Sequence, residues 1–152
     1  MMVQYEHTQP STIFRAISAL VMVGSLMVVI TMLASGGPVR EAIMVLAITA
    51  LVLVFILVFF HSMTIRVSPQ EIALAFGAGL IRKRIDVEKI ESTSVVHTAW
   101  YQGWGIRKVS KGWLYNVSGF DAVEVQLENG RRFLLGTDEP RKLQSAIEAV
   151  TG

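Results

Sequence analysis

The chain has no cysteine, three histidines and four prolines in 152 residues. Without thiols there are no disulfides, no thiolate nucleophile and no Cys-ligated zinc. His7, His61 and His97 lie far apart and show no HExxH-type spacing, so no metal centre is expected. Charge is also sparse: 17% of residues are Asp, Glu, Lys or Arg and the formal net charge is +2. That balance lacks the cationic excess of a nucleic-acid-binding chain, and no nucleic-acid partner is expected. Gly77-x-Gly79 and Gly103-x-Gly105 lack the third glycine and the strand-to-helix setting of a dinucleotide site, so no cofactor is implied. No nucleophile, base and orienting group can be assembled, and the chain reads as something other than an enzyme.

What the chain has in excess is apolar sequence. Hydrophobic residues make up 52% of it, and mean hydropathy is +0.50. The excess is concentrated in two runs, 16–34 and 42–60, neither of which contains Asp, Glu, Lys, Arg or His. Each is close to the ~20 residues that a helix rising 1.5 Å per residue needs to cross a bilayer core. A buried helix of a soluble fold would keep a polar stripe, and neither run has one. Small residues at Ala34-Ser35-Gly36 raise the alternative of a signal peptide. The first run is too long for that, its basic flank is one arginine, and a second run follows.

The expected organisation is therefore a polar lead at 1–15, a transmembrane hairpin at 16–61 and a further domain at 62–152. Ser35-Gly36-Gly37-Pro38 turns the hairpin, so the two helices should be antiparallel neighbours. Gly24, Ser25, Ala47 and Ala50 offer places for them to approach closely. Arg15, Arg66 and Arg82-Lys83-Arg84 flank the ends of the hairpin and only Arg40 flanks its turn. The positive-inside rule then puts both termini in the cytoplasm of a bacterial plasma membrane.

After His61 the pattern changes to alternation. Met63, Ile65 and Val67 share one face, Ile72, Leu74 and Phe76 repeat it, and Ile81, Lys83 and Ile85 follow. Ser68-Pro69-Gln70-Glu71 and Gly77-Ala78-Gly79 punctuate these strands. Ser92 to Thr98 and Gly112 to Val117 are further strand candidates. In the next hairpin, a two-residue Asn129-Gly130 loop would set Phe133 and Leu135 on the charged face. A three-residue loop, Glu128-Asn129-Gly130 with Gly130 left-handed, pairs Phe133 with Val125 and Leu135 with Val123. Burial of one apolar face favours the second register.

The chain closes on an amphipathic helix. Thr137 or Asp138 caps it, Pro140 lies in its first turn, and Leu143, Ala146, Ile147 and Val150 form one stripe. The fold class expected is thus a membrane helix pair followed by a mainly-β sandwich or barrel of about seven strands with a C-terminal helix.

GWGIR at 103–107, Trp113-Leu114-Tyr115-Asn116-Val117 and Gly136-Thr137-Asp138-Glu139-Pro140 make the chain resemble the bacterial pleckstrin-homology-like (PH-like) membrane proteins of unknown function. The resemblance spans about residues 62–150 and implies two bent sheets with an open corner plugged by the C-terminal helix. Eukaryotic PH domains that bind inositides carry cations in the loop between their first two strands. Here that turn is Ser68-Pro69-Gln70-Glu71, so inositide recognition does not carry over. Alternation also sends Arg82 and Arg84 to one face and Lys83 to the other.

All three tryptophans, Trp100, Trp104 and Trp113, fall between 100 and 113. Two readings of this stretch stay open. Trp104, Arg107, Lys108 and Lys111 could meet lipid headgroups, where indoles and cations are both favoured. Alternatively Trp104, Ile106 and Trp113 pack into the sandwich while Gly103 and Gly105 permit a tight turn. Gly103, Trp104, Gly105, Ile106, Trp113, Gly130, Thr137 and Pro140 are the expected structural motif. The function expected is a membrane-anchored binding or scaffolding module that recognises lipid headgroups, a membrane-protein partner or its own copies. An accessory subunit of a membrane transport or lipid-handling complex is the alternative.

Overall fold

A computed structural model describes residues 3–152. Two long helices form a hairpin, α1 (Thr12–Ala34) and α2 (Val39–Phe60), joined by a four-residue link. At 1.5 Å per residue they are each roughly 33–35 Å long. Their most apolar 18-residue windows have mean hydropathies of 2.4 and 3.3. Most of their side chains are exposed and only Ser18, Val29 and Ala42 are buried, so these are candidate transmembrane helices rather than core helices. Both helices start a few residues before the charge-free runs; at α1, Ser11 caps the start by accepting a hydrogen bond from the Phe14 N–H at 3.2 Å. A methyl placed on Gly24 would meet nothing within 4 Å, so that glycine does not mediate close helix packing. Ala47 and Ala50 are likewise exposed.

The rest of the chain is two sheets and a helix. The first sheet runs β1-β2-β3-β4: Tyr5–Pro10, Ser62–Val67, Glu71–Phe76 and Ile81–Asp86, all antiparallel. The second contains β5 (Ile90–His97), β6 (Gly105–Val109), β7 (Gly112–Asn116), β8 (Asp121–Leu127) and β9 (Arg132–Gly136). Its order is β5-β8-β9-β7-β6, with β7 and β9 parallel. Helix α3 (Pro140–Thr151) packs against β5 and β8. The core lies between the sheets. Met63, Ile65, Val67, Ile72, Leu74 and Phe76 face Tyr115, Val123, Val125, Phe133 and Leu135, with Leu143 and Ile147 of α3 joining them. Burial raises the ordinary ionisation point of the Tyr115 hydroxyl, and pushes that of Tyr5 up to about 12 with the Glu139 carboxylate assisting.

Several expectations hold. Phe133 pairs with Val125 and Leu135 with Val123, so the hairpin has the three-residue loop, and Gly130 is left-handed at φ 79°. The stripe of α3 is as expected: Leu143 and Ile147 are fully buried, with Ala146 and Val150 partly so. Lys83 lies over the Phe133 ring at 5.3 Å while Arg82 and Arg84 are exposed on the other face.

Other expectations need correction. Part of the lead at 1–15 is a strand, β1, hydrogen-bonded to β2. Tyr5-Glu-His-Thr-Gln alternates only in burial, not in hydrophobicity, so no strand period was visible there. With β1 and a separate β6, the described residues contain nine strands rather than about seven. Neither Thr137 nor Asp138 is the N-cap of α3; that position is Glu139, because Pro140 is the first helical residue and forces its predecessor out of the helix. The Thr137 hydroxyl instead accepts from the Glu139 N–H at 3.1 Å. Trp113 does not pack inside: it is 44% exposed at the start of β7, beyond the edge of the core.

Candidate functional site at the hairpin end of the sandwich

The junction between helices and sandwich has almost no slack. One residue, Ser11, separates β1 from α1, and one, His61, separates α2 from β2. Pro10 and Ser62 are cross-strand partners, and the Ser11 N–H donates to the His61 carbonyl at 2.9 Å. The helices therefore continue two paired strands. An aromatic series carries the contact inward: Phe14 stacks on Phe60 with centroids 5.2 Å apart, Phe60 meets Phe76 edge-on at 6.5 Å, and Phe76 meets Tyr115 at 6.2 Å. Such pairs add roughly 0.5–1.5 kcal/mol each beyond burial.

Three loops gather around this junction. The first is the turn between β3 and β4. The Ala78 N–H donates to the Val58 carbonyl at 3.2 Å and the Gly77 N–H to the Ser62 carbonyl at 2.8 Å. Gly77 has φ 54°, and a methyl added there would lie 2.0 Å from the Val58 oxygen, so only glycine permits the approach. Leu80, at the tip, is 63% exposed.

The second loop, residues 117–120, leads from β7 to β8. Ser11 Oγ donates to the Val117 carbonyl at 2.8 Å, Gln9 Nε2 to the Ser118 carbonyl at 3.0 Å, and the Thr12 and Ser118 hydroxyls are 2.7 Å apart. Asn116 shapes it from within. Its Oδ1 accepts from the Ser118 N–H and its Nδ2 donates to the Gly119 carbonyl, and its side chain is fully buried. The sequon Asn116-Val117-Ser118 is thus an Asx turn closed against β1, with no accessible amide for a glycan.

The third is the crossing segment, residues 98–104. β5 and β6 are opposite edges of their sheet, so this segment must pass the ends of β8, β9 and β7, about 19 Å at ~4.8 Å per strand. Thr98 Oγ1 donates to the Phe120 carbonyl at 2.9 Å, and Trp104 Nε1 to the Gly119 carbonyl at 3.1 Å. Arg107 Nη1 donates to the Gln102 carbonyl at 2.9 Å. Gly103 and Gly105 both have positive φ, 67° and 99°, which lets the segment turn into β6. The Trp104 and Phe120 rings lie 5.9 Å apart. Held this way, Trp100 is 77% exposed, Tyr101 72% and Phe120 39%. The Trp100 and Tyr101 rings meet edge-on with centroids 6.2 Å apart, so they form one exposed aromatic pair.

The residues expected to bind lipid do not form one cluster. Trp104 is at the hairpin end, half-buried on Phe120. Arg107 and Lys108 are exposed on opposite faces of β6, paired with Leu114 and Trp113 respectively. Lys111 is in the turn at the far end of that strand. Ile106 packs on the core, as the packing reading had it. Gln9, Ser11, Thr12, Leu80, Asn116 and Phe120 were missed as parts of one region. Their only sequence signal was turn chemistry at Asn116-Val117-Ser118-Gly119.

The histidines stay separate from one another. His7 Nε2 is 2.6 Å from Asp138, tying β1 to the start of α3; His97 Nδ1 is 2.9 Å from Asp121; and His61 Nδ1 meets the Leu57 carbonyl. Among the described residues no three His, Asp or Glu side chains gather as a metal-binding group. No family model, curated protein or solved structure matches this chain.

Proposed function

We propose that this chain is a membrane-anchored, PH-like binding module, not an enzyme, whose sandwich rests on the bilayer surface and engages lipid directly. The two sheets with α3 alongside support the PH-like reading, although the parallel β7–β9 pair goes beyond a simple antiparallel meander. One observation carries the function. One-residue junctions at Ser11 and His61 join the sandwich directly to two apolar helices, and the exposed Leu80, Trp100, Tyr101 and Phe120 lie on loops at that same end, which supports contact with the bilayer surface. Tryptophan and tyrosine are favoured at that depth because ring and polar atom meet different surroundings. Cations nearby (Arg15 in the first turn of α1, Arg82 beside the β3–β4 turn) suit an anionic cytoplasmic leaflet, which supports an orientation with both termini inside. Reporter fusions at residue 152 and at Gly36 should read cytoplasm and exterior; the reverse would overturn the orientation.

Trp113 provides an internal control for the surface contact. It lies three residues, about 10 Å, further from the hairpin along β7 than Asn116. In the full chain reconstituted in vesicles containing brominated lipids, a variant keeping only Trp100 should be strongly quenched. A variant keeping only Trp113 should be quenched far less. Equal quenching, or none at Trp100, would refute the surface-resting arrangement.

A further inference from the structure

The outer face of the first sheet is hollowed by a cleft. Its centre is β3, whose outward residues Ala73 and Ala75 are small, while longer side chains stand on the strands either side. Register sets them in rows. Arg66, Ala73 and Arg84 are aligned across β2, β3 and β4; Thr64, Ala75 and Arg82 form the next row toward the hairpin. The result is an open cleft of about 440 Å³. With strands about 4.8 Å apart, the residues flanking each alanine have Cα atoms about 10 Å apart, enough for one phosphate between them.

The three guanidinium groups differ in how well they are neutralised. Arg66 bonds to Glu6 at 2.9 Å, and the hydrogen bond to that carboxylate makes the Arg66 guanidinium hold its proton more firmly than usual. Arg84 is 3.7 Å from Glu71, a loose pair. Arg82 meets no carboxylate among the described residues and donates only to the Gly79 carbonyl, at 2.7 Å. Of the three, Arg82 is also the one nearest the helices, since Ala78 of the preceding turn is hydrogen-bonded to the Val58 carbonyl of α2. The Thr64 hydroxyl, 2.8 Å from that of Thr8, faces the same row. A planar guanidinium with unused donors, a second loosely held one and a hydroxyl make a phosphate-shaped set of donors.

We propose that this cleft holds the phosphate of an anionic membrane lipid, with Arg82 as its principal ligand and Arg84 and Thr64 assisting. The proposal rests on the surface-resting reading above, because only then does a headgroup reach the row of Arg82. Ala75 forms the floor, and the short side chains of β3 exist to leave room for the headgroup. Lys83, on the opposite face over Phe133, takes no part.

The absence of cysteine makes the test direct. Ala75→Cys, as the sole thiol of the full chain in nanodiscs, reports on occupancy through its rate of alkylation by a water-soluble maleimide. Changing the lipid from phosphatidylcholine alone to a mixture with phosphatidylglycerol should slow alkylation about fivefold, the effect of roughly one arginine-headgroup contact. Adding Arg82→Gln should abolish the protection; adding Lys83→Gln should leave it. A second readout avoids the thiol: phosphatidylglycerol retained by the unlabelled chain through detergent purification should fall in Arg82→Gln and not in Lys83→Gln. Equal alkylation rates in the two lipids, or equal loss in both variants, would overturn the site. Protection by inorganic phosphate in neutral nanodiscs, with none from phosphatidylglycerol, would overturn the lipid as its source. If alkylation is lipid-independent while Trp100 remains quenched, the cleft proposal fails alone; loss of Trp100 quenching removes the reading beneath it.

Discussion

Removing β1 should cost the sandwich a large part of its stability, even though β1 precedes the hairpin and 51 residues separate it from β2. The strand makes six cross-strand pairs with β2, from Tyr5–Val67 to Pro10–Ser62. At roughly 0.5 kcal/mol each these contribute about 3 kcal/mol. Gln9 to the Ser118 carbonyl and His7 to Asp138 add about 1 kcal/mol together or a little more, the second being partly exposed. A segment of residues 62–152 should therefore be less stable by about 3–5 kcal/mol than the same sandwich with β1 present. That is comparable with the whole margin of a marginal domain. It also leaves β2 as an unpaired edge, open to aggregation. The comparison chain follows from the geometry. Because Ser11 and His61 are hydrogen-bonded neighbours, an Asn-Gly loop can replace residues 12–60 and join the two strands as a hairpin. Urea denaturation followed by tryptophan fluorescence should give a clearly higher midpoint for the joined chain than for 62–152. A peptide of residues 3–11 added to 62–152 should recover part of the difference. Identical midpoints for the two chains would refute the claim that β1 is integral to the sandwich.

Two further substitutions probe the hairpin end. Asn116→Ala removes both side-chain bonds that close the 117–120 loop and leaves the Ser118 N–H buried without a partner, so unfolding in detergent should be easier by about 2–4 kcal/mol. An unchanged denaturation midpoint would mean the Asx turn is incidental. Gly77→Ala should cost about 3 kcal/mol, from the left-handed backbone and from separating the turn from the Val58 carbonyl. Gly79→Ala, also left-handed but with room for its methyl against Arg82, should cost only about 1 kcal/mol. Equal losses at the two positions would show that contact between turn and helix contributes nothing.

The amino-acid sequence by itself determined the elements whose signal is periodic. Two charge-free runs of bilayer length specify the helix pair, alternation specifies β2, β3, β4, β8 and β9, and the i, i+3, i+4, i+7 stripe places α3. It even determined the β8–β9 register, because one choice of loop buries Phe133 and Leu135 and the other exposes them. Those properties are local, set by how side chains repeat along one segment. What the tertiary structure alone decided is what meets what across long separations. β1 has no hydrophobic period; it is a strand because β2 offers it a partner. Trp113 and Trp104 look alike in sequence, yet one lies beyond the core edge and the other closes a loop, according to where β7 and the crossing segment fall. Alternation separated Lys83 from Arg82 and Arg84, but only the pairing of β4 with β3 and β2 sets Arg82 and Thr64 either side of Ala75. Pairing between distant segments depends on which backbone donors, acceptors and apolar faces are left when each element has formed, and no single stretch of sequence carries that information.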